Sequence, residues 1–178
     1  MIEGFKIPCV TFKMRVRDDS IDGSNPYKWQ DVTSDSLLKG RRILLFSLPG
    51  AFTPTCSTYQ LPGFEQNYDK IRNQDIDEIY CISVNDAFVM NAWAKDQKLE
   101  NVKVIPDGSG RFTRGMGMLV RKDPEDFGYR SWRYAAHIED CVVKKMWVEE
   151  GKMDDCPTDP YGATNPQEIL EDLQNVVK

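Results

Sequence analysis

The chain has 178 residues, 40% hydrophobic and 29% charged, which predicts one globular domain over 1–178 with a substantial core. Its formal net charge of -5 disfavours a nucleic-acid backbone or an anionic membrane surface as partner, since both require basic patches. No window reaches the roughly 20 apolar residues of a membrane span.

The start, Met1-Ile-Glu-Gly-Phe-Lys6, lacks a charged segment followed by an apolar one. No signal peptide is expected there, and a cytoplasmic, reducing location is predicted unless a presequence has been removed. Residues Val10–Val16 alternate apolar and polar and predict a strand, with Asp18–Tyr27 as a polar loop. Trp29–Ser34 predicts a short strand running into a capped turn at Ser34 or Asp35. The nearly continuous apolar run Arg42–Leu48 has the length and character of a strand buried on both faces. After a Pro/Thr-rich turn, Cys56–Asn73 predicts a helix kinked near Pro62-Gly63.

Ile76–Val84 reads as a second core strand. Asp86–Lys98 predicts a helix with Phe88, Val89, Ala92 and Trp93 as its apolar stripe. Val102–Pro106 is a short strand, Asp107–Gly110 a turn, and a short helix extends to about Gly117. Ser131–Val148 predicts a hairpin turning near Glu139–Cys141. Pro166–Val177 predicts a closing helix with Ile169, Leu170, Leu173 and Val176 on one face. This order predicts an α/β fold, a central mixed β-sheet flanked by helices on both faces, and looks like a thioredoxin-like fold.

A buried strand that stops at Pro49-Gly50 and feeds a helix delivers its loop to the carboxyl edge of the sheet, where open α/β sheets place reactive groups. Cys56 falls in the first turn of that helix, where free N–H groups and the helix dipole stabilise a thiolate. Thr53 can turn its hydroxyl toward the sulfur or toward a bound oxygen, and Pro49 and Pro54 stiffen the loop. Placement alone is equally compatible with an inert buried thiol.

The string Pro49-x-x-x-Thr53-x-x-Cys56 resembles the peroxidatic signature of the peroxiredoxins. The longer Ser47-Leu-Pro-Gly-Ala-Phe-Thr-Pro-Thr-Cys-Ser57 is similar to their type II (class V) branch. Ile79–Trp93, Pro106–Gly110 and Arg130-Ser-Trp-Arg-Tyr134 are similar to further segments of that branch, and Arg133 matches its active-site arginine. The resemblance implies a thiol peroxidase in which Cys56 attacks a hydroperoxide while Thr53, Arg133 and backbone N–H groups hold the oxygens. Pro49, Gly50 and Phe52 would line the substrate site. Phe52, Phe88, Met90, Trp93, Met116 and Met118 would form core packing or an apolar rim for organic hydroperoxides and a homodimer interface.

Strand parity sets Arg130 on the face opposite Arg133, so only one of the two is expected at the site. Arg121 and Lys122 are expected to be solvated. The cysteines, Cys9, Cys56, Cys81, Cys141 and Cys156, are dispersed, without a C-x-x-C pair, and His137 is the only histidine. A disulfide framework, a metal site and a cofactor are therefore not expected.

Some type II relatives carry a resolving cysteine just before the last helix. Here that stretch, Tyr161-Gly-Ala-Thr-Asn-Pro166, holds no thiol. Cys156 is the candidate resolver, although two flanking aspartates disfavour a thiolate there. The leading expectation is a one-cysteine cycle closed by an external thiol. Similarity to the peroxidase part of bacterial peroxiredoxin–glutaredoxin fusions implies glutathione and glutaredoxin as reductants, with thioredoxin the other option. A redox sensor that signals through oxidised Cys56 is the alternative reading. Asn85-Asp86 reads as a helix cap, and Asp154, Asp155 and Asp159 as a solvated loop.

Overall fold

The structure, a computed structural model, describes residues 3–176. Strands β1 (Thr11–Arg17) and β2 (Tyr27–Thr33) form an antiparallel hairpin, and helix α1 (Ser34–Leu38) is capped by Thr33, whose hydroxyl accepts from the Ser36 N–H. Then follow β3 (Arg42–Ser47), α2 (Leu61–Gln66), α3 (Tyr68–Arg72), β4 (Glu78–Ser83), α4 (Ala87–Asp96) and β5 (Lys103–Pro106). Helix α5 (Arg111–Gly115) leads to β6 (Leu119–Arg121) and β7 (Tyr129–Ser131). The chain closes with β8 (Tyr134–Glu139), β9 (Val142–Val148) and α6 (Pro166–Val176). Val177, the predicted end of α6, and the side chain of Val176, predicted on its apolar face, lie outside the described residues, as do Met1, Ile2 and Lys178.

The central sheet has the order β5-β4-β3-β8-β9, parallel among β3, β4 and β5 and antiparallel across β3–β8 and β8–β9. Because β3 is buried on both faces, its alternating side chains feed two separate cores. Leu44 and Phe46 point to one, with Phe64 of α2, Ile71 of α3, Met90 and Trp93 of α4, and Ile169 and Leu173 of α6. Ile43 and Leu45 point to the other, with Leu38 of α1, Phe112 of α5, Met116, Met118 and Trp132. The predicted mixed sheet with helices on both faces is the one that forms. No helix among the described residues is long and apolar enough to cross a membrane.

Three local expectations change. The irregularity expected in the helix near Pro62-Gly63 lies just ahead of that proline. The helix opens upstream into a π-helical turn over Cys56–Gln60, where Leu61 N–H bonds to Cys56 O, and breaks again at Asn67. Pro62 has no N–H to give to the preceding turn and its ring would strike that turn's carbonyl, so the ladder widens ahead of it.

The apolar stripe of α4 is Ala87, Met90 and Trp93, not one containing Phe88, which is 56% exposed. Asp86 caps this helix by accepting from Val89 N–H at 2.9 Å, and that start turns Phe88 outward to meet Trp29 edge-on. The hairpin predicted from Ser131 joins the central sheet only at Tyr134. Ser131 belongs to β7, which pairs with β6 in a small sheet of its own.

Candidate active site

The end of β3 sends Leu48-Pro49-Gly50 to the carboxyl edge of the sheet, all three buried. Asn85, just after β4, holds the loop from behind. Its Oδ1 accepts from Ala51 N–H at 3.0 Å and from Ser83 Oγ at 2.6 Å. Asp86 is the cap of α4, so Asn85 is a loop anchor, a role that adjacency in sequence does not reveal. Phe52 adopts the left-handed region at φ +64 and is half exposed at the rim. The Thr53 hydroxyl donates to Gly50 O at 2.7 Å, which leaves its oxygen free to accept a hydrogen from a bound molecule.

Cys56 Sγ is fully buried, in the core layer of α2, α4 and α6. Next to it stands Arg133, 2% exposed, with Nη1 3.5 Å from the sulfur. The guanidinium is fixed on every side. Nη1 also donates to Gln60 Oε1, Nε to Pro160 O at 3.1 Å, and Nη2 to Asp159 at 2.5 Å, while Tyr161 lies across its plane at 5.6 Å. Burial pulls the Arg133 pKa down, but the Cys56 thiolate and the Asp159 carboxylate outweigh it and leave it raised.

Arg130 is not held on an opposite face, as strand parity predicts. The chain leaves the small sheet and enters the central one between Ser131 and Tyr134, so alternation does not carry across Trp132. Arg130 Nη1 donates to Pro49 O at 3.3 Å, and a Cβ on Gly50 would come within 2.5 Å of that nitrogen. Burial lowers its pKa and the nearby Cys56 thiolate opposes the fall. Arg133 thus contacts the sulfur directly, and Arg130 adds a second positive charge behind the Pro49-Gly50 loop.

Lys122, expected in solvent, is 4% exposed and lines a cleft with Pro49, Trp132, Arg133 and Asp159. Arg121 is half exposed and paired with Asp155 at 2.5 Å. The carboxylates of Asp154, Asp155 and Asp159 therefore go to the two arginines, and only Asp159 reaches the site.

The predicted aromatic and methionine rim divides. Met90 and Trp93 share the core layer of Cys56, with Trp93 Nε1 donating to Ser57 Oγ at 3.0 Å. Met116 and Met118 belong to the layer on the other face of the sheet.

Cys156 is buried in that opposite layer too, with Sγ 3.5 Å from Thr158 Oγ1. Its flanking aspartates turn toward Arg121. Cys81 is fully buried in the layer of Cys56, and desolvation raises its pKa well above the ordinary thiol value, with the Cys56 thiolate adding to the rise. Burial and the Asp35 carboxylate push Cys141 up to about 11, and Cys9 is exposed. His137 sits mid-strand on β8, opposite Leu44, with Nε2 3.4 Å from Glu139.

A buried thiol held beside a fixed guanidinium at a sheet edge can attack an electrophile whose leaving atom gathers negative charge. The Redoxin family matches residues 18–160. A peroxiredoxin of Rhizobium etli is 62% identical over 169 residues, 95% of this chain and 94% of that one. The hybrid peroxiredoxin hyPrx5 of Haemophilus influenzae is 44% identical over 172 residues, 97% of this chain and 66% of its own length. A solved structure of the Plasmodium falciparum antioxidant protein, a 1-Cys peroxiredoxin, aligns with TM-score 0.90 at 40% identity, covering 97% of this chain and 99% of that one. Agreement at this level over nearly the whole length places the chain in the Redoxin family: it is a peroxiredoxin, a thiol peroxidase built on a thioredoxin-like fold.

Proposed function

We propose that the protein reduces hydrogen peroxide and alkyl hydroperoxides through Cys56, in a one-cysteine cycle. The observation that carries the reading is the fixed Arg133 Nη1, 3.5 Å from the buried Cys56 Sγ. The thiolate sulfur bonds to the nearer peroxide oxygen as the O–O bond breaks. The electron pair leaves with the distal oxygen, which takes a proton and departs as water or alcohol. Sulfur is oxidised to the sulfenic acid and the peroxide is reduced.

Arg133 and Arg130 offer donors and fixed positive charge to the oxygen that becomes negative, an interaction stronger in the transition state than in the bound substrate. Thr53, its own hydrogen already given to Gly50 O, accepts the hydroperoxide O–H and so orients the molecule for in-line attack. Pro49 and Gly50 form the wall against which the substrate rests, and Phe52 contributes the apolar rim.

An external thiol then closes the cycle, because Cys156 lies in the layer across the sheet from Cys56. Glutathione with glutaredoxin is the reductant the sequence resemblance favours, ahead of thioredoxin, and a cytoplasmic homodimer is the working form. With Cys56 fully buried, the first turn of its helix must open for that thiol to reach the sulfenic acid. Steady-state peroxide consumption by Cys156→Ser, supplied in turn with glutathione plus glutaredoxin and with thioredoxin, tests the cycle. Undiminished turnover with the first reductant is expected, and loss of turnover with every reductant would make Cys156 the resolving thiol.

A further inference from the structure

Gln60, four residues after Cys56, ends the π-helical turn that Cys56 begins. Glutamine on a helix usually faces solvent, yet this side chain is wholly buried. A primary amide removed from water is tolerated when both its oxygen and its nitrogen find partners. Here only the oxygen does. Oε1 accepts from Arg133 Nη1, the same nitrogen that lies 3.5 Å from Cys56 Sγ. Nε2 is equally buried and has no acceptor among the described residues. Turning the amide over would set Nε2 against Nη1, donor against donor, so the orientation is determined by Arg133.

We propose that Gln60 takes part in the peroxidatic step at both ends of its amide. Oε1 positions Arg133 Nη1 on the sulfur, and the unsatisfied Nε2–H donates to the oxygen transferred to Cys56. The proposal rests on the reading that Cys56 attacks hydroperoxides. In the thiolate state the amide hydrogen is left over. As the S–O bond forms, the transferred oxygen becomes an acceptor beside the Arg133 Nη1 that Gln60 already holds, and the donor gains its partner. A hydrogen bond acquired during the reaction lowers the barrier instead of tightening ground-state binding. A buried glutamine kept only for packing would be replaced by an apolar residue of the same shape at little cost to the chemistry.

The test compares two electrophiles at one pH: oxidation of Cys56 by hydrogen peroxide, followed by stopped-flow tryptophan fluorescence, and alkylation by iodoacetamide, which transfers no oxygen. A structural change that merely alters access or thiolate content moves both rates together, so the readout is their ratio. Gln60→Met keeps length and volume without either polar end. Its peroxide-to-alkylation ratio is expected to fall about tenfold, the scale of one hydrogen bond lost from a transition state. An unchanged ratio in the folded variant overturns the proposal.

Should Gln60→Met fail to fold, Gln60→Glu retains the acceptor for Arg133 and removes the amide donor. A lowered ratio is again expected, and a wild-type ratio overturns the donor role. Wild-type Cys56 that does not react with peroxide at all would sink the peroxidase reading itself, an outcome separate from either variant's ratio.

Discussion

Arg133 commits Nε and both Nη groups to fixed partners, so its charge is held on Cys56 and is not free to swing toward solvent. Arg130 is anchored more lightly, through Pro49 O and Phe127 O, and reaches the loop only because residue 50 has no side chain. Gly50→Ala is therefore expected to leave the melting temperature nearly unchanged, since the far end of an arginine can move aside. The rate of Cys56 oxidation should drop about tenfold, as expected when one donor to a developing charge is displaced. Stopped-flow oxidation beside a thermal melt checks both halves, and an undiminished rate would show that Arg130 is a bystander.

His137 makes a different prediction, one of stability. Burial depresses its pKa below the ordinary 6.5, although Glu139 acts the other way. The unfolded chain then binds a proton more readily than the folded one, so this contribution is fully present above pH 6.5 and is lost progressively as pH falls from there through the lower folded value. His137→Gln is expected to flatten the decline in melting temperature between about pH 7 and pH 5 relative to wild type. Parallel curves for the two proteins would refute it.

At the scale of elements, the segment from Asp154 to Thr164 is laced over the site by buried or half-buried charges. Arg121 holds Asp155, Arg133 holds Asp159 and Pro160, and Glu149 receives the N–H groups of Gly162, Ala163 and Thr164 together with the Thr164 hydroxyl. Removing the charge from Glu149 weakens that set. Glu149→Gln is expected to lose on the order of 1–3 kcal/mol in denaturant unfolding, and to slow Cys56 oxidation because Pro160 and Tyr161 no longer fix Arg133. A wild-type oxidation rate in a destabilised variant would separate the loop from the chemistry.

The long elements of this region are legible in the sequence. The apolar run of β3, the turn at Pro49-Gly50 and the alternation of β8 and β9 each follow from local pattern. The short β6–β7 sheet is not, because three-residue strands carry too few alternations to register. The approach of Arg130 is hidden for the same reason: it depends on a change of sheet between Ser131 and Tyr134. Lys122 reads as a surface residue, nothing in the sequence singles out Gln60, and the neighbours of neither announce that the fold closes over them.

Across the whole molecule, the two cores separated by β3 explain why fold class was the most readable property and the resolving chemistry the least. A central strand buried on both faces needs only local composition to be recognised. Which side of the sheet a distant cysteine such as Cys156 occupies depends on the path of the entire chain. Phe64 stacks on Phe46 at 3.9 Å in the layer that also holds Cys56. Phe64→Ala should therefore destabilise the protein by about 3–5 kcal/mol, measured by urea unfolding. A loss under about 1 kcal/mol would mean that the layer repacks freely.

The most direct measurement of the central claim is mass spectrometry of the reduced protein after one equivalent of hydrogen peroxide, with a sulfenic-acid trap present. The trap is predicted on the Cys56 peptide alone, with Cys9, Cys81, Cys141 and Cys156 still thiols. Trap or disulfide on the other cysteines with Cys56 unmodified would contradict the account.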